Sequence, residues 1–268
     1  MLTSVLPLMK RKYRTVPKFA ANLNWLFTEV DFLDRFAAAA AAGFRGVECL
    51  FPYDYKTSEV VSRLSDNNLQ QVLINAPPGD WQKGERGLGC LAGRQAEFRD
   101  SINKAIEYAQ AIDCPKVHIM AGLAGADARD LFVENLYFAA EACAAAGLLG
   151  LIEPINDRDM PGYFLTRPDQ ALEILKAVAS PHLRLQLDLY HAARMGFDVA
   201  LTIDNYINSV AHFQIAGVPD RHEPDSGEVD YQPLFNNIDQ LGYDGWIGCE
   251  YRPRRTTGAG LGWAASYL

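Results

Sequence analysis

The chain is poor in positive charge. Its 25 Lys and Arg are outnumbered by 33 Asp and Glu, for a formal net charge of -8. A chain of that sign has no general basic face, which excludes nucleic acid or an anionic membrane as the main partner. An anionic small molecule needs only a local Arg or Lys and stays open. Cysteine is sparse and odd in number, five residues (Cys49, Cys90, Cys114, Cys143, Cys249) with no CxxC spacing. That excludes a disulfide framework or a zinc knuckle and fits a reducing, cytoplasmic setting. Long apolar runs are also missing. The run from Leu2 to Met9 is too short to span a bilayer. Its basic residues follow it, the reverse of a signal peptide. Residues 1–16 therefore read as a disordered extension or an upstream start, with Met9 as an alternative start. No internal repeat occurs, and the alanine run at 37–42 is good helix sequence.

What is present is ordinary globular composition: 268 residues, 49% hydrophobic and 22% charged. A chain of this length buries a large core without a staple. Short apolar runs alternate with longer amphipathic segments about eight times. The strand candidates are KFAANL (18–23), RGVECLF (45–51), QQVLIN (70–75), KVHIM (116–120), LLGLIE (148–153), LRLQLD (183–188), VAHFQI (210–215) and GWIGCE (245–250). They are nearly continuously apolar, as strands covered on both faces are. Helical segments between them include 31–43, 94–112, 134–147 and 168–178. Gly43 and Gly147 read as helix stops, and Asp31 and Thr166 as N-caps. Eight such units predict a parallel sheet closed as a single (β/α)8 barrel over residues 17–268. The competitor is a doubly wound open sheet. That fold usually carries a glycine-rich phosphate loop after its first strand, where this chain has NLNWLFTEV with no glycine.

Residues 76–94 (APPGDWQKGERGLGCLAGR) form one long loop after the third strand. A loop of that length is usually functional or disordered. In a barrel it sits on the C-terminal face, so it is a candidate lid, with Asp80, Glu85 and Arg94 its polar candidates.

Four of the strands carry a polar residue at or near their C-terminal ends: Glu153, Asp188, Gln214 and Glu250. A carboxylate buried there unpaired is costly. Neighbouring barrel strands aim such ends at one region, where three carboxylates repel and a divalent cation relieves the repulsion. All four offer oxygen, which favours Mg2+ or Mn2+. The alternative is four separate residues, each in its own ion pair or helix cap. His191 lies three residues after Asp188 and can reach the metal or face a substrate oxygen. His118 can point into the barrel mouth or be a satisfied core histidine. Arg221, followed by His222, can clamp a substrate carboxylate, or pair with Asp220, Glu223 or Asp225. Glu48 reads as an Arg-paired barrel residue. Asn156 and Arg158 follow Glu153 and are candidates for substrate contact. Cys49 and Cys249 fall on the faces opposite Glu48 and Glu250 and read as packing.

The segments ANLNWLFTEV, CLFPYDY, NAPPGDWQKGERGL, LIEPINDRDMPGYFL, HFQIAGVPDRHEPDSGEVDY and GWIGCEYRPR resemble the hydroxypyruvate isomerase family, within the xylose-isomerase-like barrels, from about Lys18 to Trp263. The resemblance implies a (β/α)8 barrel and one divalent metal held by Glu153, Asp188, Gln214 and Glu250. It makes Glu153 and Glu250 the acid/base pair. It implies a small hydroxy- or oxo-acid substrate, hydroxypyruvate interconverting with tartronate semialdehyde through an enediolate, and it leaves room for a homo-oligomer. A sister branch acts on 2-oxo-tetronates. EPIN resembles the hydroxypyruvate branch, but Asp157 stands where that branch usually has Thr, HAARMGFDVA departs from its usual wording, and AGLAGADARD is shorter than usual. The rivals are a ketose 3-epimerase, for which the resemblance implies His at the position of Gln214; an abasic-site endonuclease, which needs more His ligands and a basic groove; and a non-catalytic metal-binding barrel.

Overall fold

The eight expected strands close on themselves. In a computed structural model describing residues 17–268, β1 (Lys18–Asn22), β2 (Gly46–Cys49), β3 (Gln70–Asn75), β4 (Lys116–His118), β5 (Leu149–Ile152), β6 (Leu183–Asp188), β7 (Val210–Ile215) and β8 (Trp246–Cys249) form a parallel barrel in chain order. The last strand returns to the first, with Lys18 opposite Trp246 and Ala21 opposite Cys249. The helices are α1 (Arg35–Ala41), α2 (Thr57–Asp66), α3 (Gln95–Ala111), α4 (Arg129–Ala146), α5 (Pro168–Val178), α6 (Leu189–Arg194), α7 (Val199–Tyr206) and α8 (Tyr231–Gln240). A 3-10 segment, Gly258–Ala264, stands where a helix would follow β8. The expected N-terminal extension and the alternative start at Met9 lie outside the described residues. Among the described residues no helix is long and apolar enough to cross a membrane.

The strands are apolar because each is covered twice. Their outward side chains pack on the helices, as Val47, Ile74 and Phe213 do, in one large core. Helix α3 meets that core with Phe98, Ile102, Ala105 and Ala109, spaced three or four apart on one face. Burying Phe98 or Ile102 contributes about 2 kcal/mol each. Inside the barrel a second, small cluster of Ala20, Val72, Leu73 and Leu151, with Trp246 against it, makes the floor. The two-residue period puts Ala20, Leu151 and Trp246 on the same faces as Asn22, Glu153 and Glu250. Polar side chains therefore stack above an apolar floor, toward the C-terminal mouth. Two glycines make room: a Cβ on Gly46 would lie 2.7 Å from the Trp246 ring, and one on Gly248 would lie 2.4 Å from the Glu48 carboxylate.

Three local expectations are corrected. Segment 31–43 is a 3-10 turn (Phe32–Asp34) followed by α1, and Asp31 heads it without a side-chain cap bond. Helix α4 starts at Arg129, not 134, because Phe132, Leu136, Ala139 and Cys143 carry its buried face back toward its start. The N-cap of α5 is Arg167, one residue after Thr166, and Pro168 opens the helix. Within loop 76–94, Asp80 caps a 3-10 turn, Trp81–Lys83, by accepting from the Lys83 amide. Gly147 does stop α4, with φ 72°, and all five cysteines are free and buried.

Candidate active site

The four predicted strand ends meet at the C-terminal mouth. Asp188 and Gln214 are direct neighbours in the β6–β7 ladder, and Gln214 sits opposite Gly248, two residues before Glu250. Glu153, Asp188, Gln214 and Glu250 are all buried. Each carboxylate has one oxygen tied to the scaffold. Glu153 Oε2 accepts from Gln186 Nε2 at 3.0 Å. Asp188 Oδ1 caps α6 by accepting from the Tyr190 amide at 2.9 Å. Glu250 Oε1 accepts from Asn22 Nδ2 at 3.2 Å.

The other oxygens differ. Glu153 Oε1 and Asp188 Oδ2 are buried with no hydrogen-bond partner. Glu250 Oε2 accepts from Arg221 Nη2 at 2.7 Å. A buried carboxylate oxygen left bare is unfavourable by itself. Two aimed at one spot, in a set of oxygen donors, fit a hard cation. Glu153, Asp188 and His191 each offer one atom within 4.8 Å of the others, a group that can hold a metal ion. Without a cation, burial raises the carboxyl of Glu153 well above its usual range, with the Glu250 and Asp188 charges adding to it. Burial also raises Asp188 and Glu250, against the pull of Arg221. Burial lowers His191, assisted by Arg221 and His118, and lowers His118 to about 3.

Gln214 is oriented from two sides. Its Nε2 donates to Glu48 Oε1 at 2.8 Å, and its Oε1 accepts from Gln186 Nε2 at 2.6 Å. The amide oxygen is thereby turned toward Gln186, whose Nε2 also donates to Glu153. Glu48 corrects an expectation, since its partners are His212 at 2.6 Å, Gln214 and Asn22, not an arginine. His212 is the inward residue two before Gln214 on β7, so the barrel interior supplies the partner that a surface arginine cannot reach.

Arg221 does not make its expected loop pairing. It pairs with Glu250 and lies 3.5 Å from Asp188 Oδ2, not against Asp220, Glu223 or Asp225. Its φ of 58° turns the side chain inward over the mouth. There it stacks between Trp25 at 4.7 Å and Tyr190 at 4.9 Å. Asn156 is fully buried and bonds to His191 Nδ1 at 2.6 Å. His118 lies with Nε2 3.5 Å from Glu153 Oε2. Arg158 is exposed, and its amide N–H donates to Asn156. His222 turns away, its Nδ1 on the Arg252 carbonyl.

The lid candidates bind one another. Glu85 accepts from the Asp80 amide and from Arg94, which also reaches Glu97. The second half of the loop is docked, with Leu88 and Cys90 buried and Gly89 O accepting from Asn135. Its tip carries Trp81, 41% exposed, with Arg86 stacked at 3.9 Å. Asp80, Glu85 and Arg94 thus brace the loop and are not brought to the carboxylates.

Sequence reasoning missed Gln186, His212, Asn22 and Asp159. Gln186 and His212 had a signal, because each precedes a predicted ligand by two residues and so shares its inward face.

The xylose isomerase-like TIM barrel family matches residues 36–267, and the chain belongs to that family. Among its relatives it is 55% identical to the 2-oxo-tetronate isomerase of Cupriavidus necator, over 94% of this chain and 99% of that one. It is 44% identical to the hydroxypyruvate isomerase of Escherichia coli K12, over 93% and 99%. A crystal structure described as AP endonuclease, family 2, from Brucella melitensis superposes with a TM-score of 0.92 at 48% identity, covering 94% of this chain and 99% of that one. The expected resemblance to acid-sugar isomerases therefore holds at the level of relatives.

Proposed function

We propose that the protein is an aldose–ketose isomerase of a short oxo-acid, moving a proton between adjacent carbons. The carrying observation is the pair of buried oxygens, Glu153 Oε1 and Asp188 Oδ2, that accept no hydrogen bond. Glu153, Asp188, Gln214 and Glu250 would hold one divalent cation, with Mg2+ or Mn2+ matching their oxygens. When bound, it supplies positive charge to the carbonyl and hydroxyl oxygens of the substrate. The acid/base work falls to Glu153 and Glu250. A carboxylate oxygen on the cation is a weak base, so the glutamate that takes the proton needs a free oxygen facing the substrate carbon. One glutamate takes the proton from the carbon beside the carbonyl, and a proton returns to the neighbouring carbon. A proton also passes between the two oxygens, so carbonyl and hydroxyl exchange places with no net loss. His191 Nε2 lies 3.6 Å from Asp188 Oδ2 and 3.8 Å from Glu153 Oε1, within reach of a substrate oxygen in that space. The remaining donors of Arg221 suit the substrate carboxylate. Loop 76–94, with Trp81 and Arg86 at its tip, suits a cover over the mouth.

Hydroxypyruvate is the reading that the EPIN segment carries. 2-Oxo-tetronate is the second reading, favoured by the relative at 55% identity. A coupled assay of the purified protein on both separates them. A higher kcat/KM on one names the substrate, and no turnover of either refutes the proposal. The endonuclease reading is opposed by the formal charge of -8 and by a single three-residue His/Asp/Glu group among the described residues. A gel shift with abasic DNA tests it. The buried free cysteines suit a cytoplasmic enzyme.

A further inference from the structure

We propose that Asn156 is a positioning residue that holds His191 as the Nε2–H tautomer, so that His191 offers a hydrogen-bond donor to the space beside Glu153 and Asp188, not a ligand lone pair. The orientation of the Asn156 amide follows from its partners. Its Oδ1 accepts two backbone N–H groups, from Arg158 at 3.1 Å and Asp159 at 2.9 Å. Its Nδ2 faces the Asp159 carboxylate at 3.1 Å and the His191 ring at 2.6 Å. A flipped amide would set its NH2 against two N–H donors and its oxygen against a carboxylate. That arrangement loses all of these bonds and adds repulsion.

With the NH2 fixed on the ring side, His191 Nδ1 has to accept. An accepting Nδ1 carries no proton, so the ring proton sits on Nε2. The same ring nitrogen is the one that faces Asp188 Oδ2 at 3.6 Å and Glu153 Oε1 at 3.8 Å. An N–H there cannot ligate a cation through nitrogen, though the three side chains are close enough to suggest it. The support continues outward. Asp159 Oδ2 also accepts from the Tyr190 hydroxyl at 2.8 Å and lies 3.9 Å from Arg221 Nη1. Asn156 is fully buried and His191 nearly so, so water does not compete for the bond between them. The histidine's use as a donor to a substrate oxygen rests on the isomerase reading, whereas the tautomer does not.

The test is long-range 1H–15N correlation NMR of full-length, 15N-histidine-labelled protein, with His191→Gln assigning the ring. The expected spectrum has a bare Nδ1 and a protonated Nε2, both metal-free and with Mg2+. A protonated Nδ1, or a Nε2 shifted as a metal ligand, overturns the proposal without any variant at Asn156. Asn156→Asp keeps one oxygen for the two amides and turns an acceptor on the ring. It should move the proton to Nδ1, and His191→Gln and Asn156→Asp should each lower kcat about 10- to 100-fold, as the loss of an orienting partner does. An unchanged His191 spectrum in a folded Asn156→Asp protein also overturns it. The two readings part cleanly: absence of isomerase activity in the wild type refutes the function, and the wild-type spectrum judges the tautomer independently.

Discussion

Glu48 and Glu153 are both buried glutamates inside the same barrel, yet their surroundings differ in kind. Glu48 is answered on every side, by His212, Gln214 and Asn22. Glu153 has one oxygen on Gln186 and one on nothing. The first is what a carboxylate needs in order to stay buried at low cost. The second is relieved by a proton or by a cation. On the proposed function, the contrast separates a carboxylate that serves the scaffold from one that would serve the chemistry. It also explains why the polar layer has depth, since Glu48 and Gln186 orient Gln214, and Gln186 also holds Glu153.

The sharpest break of the comparison is at the chemical end. Glu153→Gln and Glu250→Gln should each lower kcat by about a thousandfold or more, in the upper range for general acid–base groups, while the protein stays folded by circular dichroism. Near-wild-type turnover in either variant would sink the two-glutamate scheme.

Removing the cation should come next. EDTA should abolish activity and Mg2+ or Mn2+ restore it, and full activity in stripped protein refutes the metal role. The pH dependence follows from Glu250. Burial raises its carboxyl from 4.5 to about 8 in the metal-free fold. Between those values the folded chain binds more protons than the unfolded one, so the stripped protein loses stability as pH rises through that window. A cation competes with those protons and binds more tightly as pH rises. The gap in Tm between loaded and stripped protein should therefore widen from about pH 5 to about pH 8, measured by calorimetry. A gap that is constant or narrows argues against carboxylate ligation.

At the scaffold end the effect is smaller and of another kind. Glu48→Gln leaves a buried donor facing a donor, and should cost about 1–3 kcal/mol in urea unfolding. It also frees the Gln214 amide, so Mg2+ affinity should fall about 10- to 100-fold by isothermal titration. Loss of stability with no change in Mg2+ affinity would show that Glu48 does not act through Gln214. The smallest effect is expected at the lid tip. Trp81→Ala removes an exposed stack on Arg86, about 0.5–1 kcal/mol, and should raise KM more than it lowers Tm. A KM equal to the wild type removes the lid role.

Much of this was legible in order along the chain. The strands QQVLIN, LRLQLD and VAHFQI match β3, β6 and β7 residue for residue, because continuous apolar runs between polar turns leave little freedom in where a buried strand begins and ends. The ends Glu153, Asp188, Gln214 and Glu250 were legible for the same reason. Arg221 was not. Its partner is set by a positive φ and by the closure of β8 beside β7, neither of which local spacing reveals. Asn156 was read as a substrate contact, but its four bonds are all inside the protein.

The alternation of apolar runs and helices, by itself, determined a parallel sheet with its strands and their polar ends, and favoured a barrel over an open sheet, because periodicity and burial are local properties of a chain. Only the tertiary structure decided which oxygens are satisfied and which are bare. Glu48 meets His212 across 164 positions of sequence and Glu250 meets Asn22 across 228. A hydrogen bond is short and directional, so whether a buried carboxylate has a partner is known only once the barrel has closed.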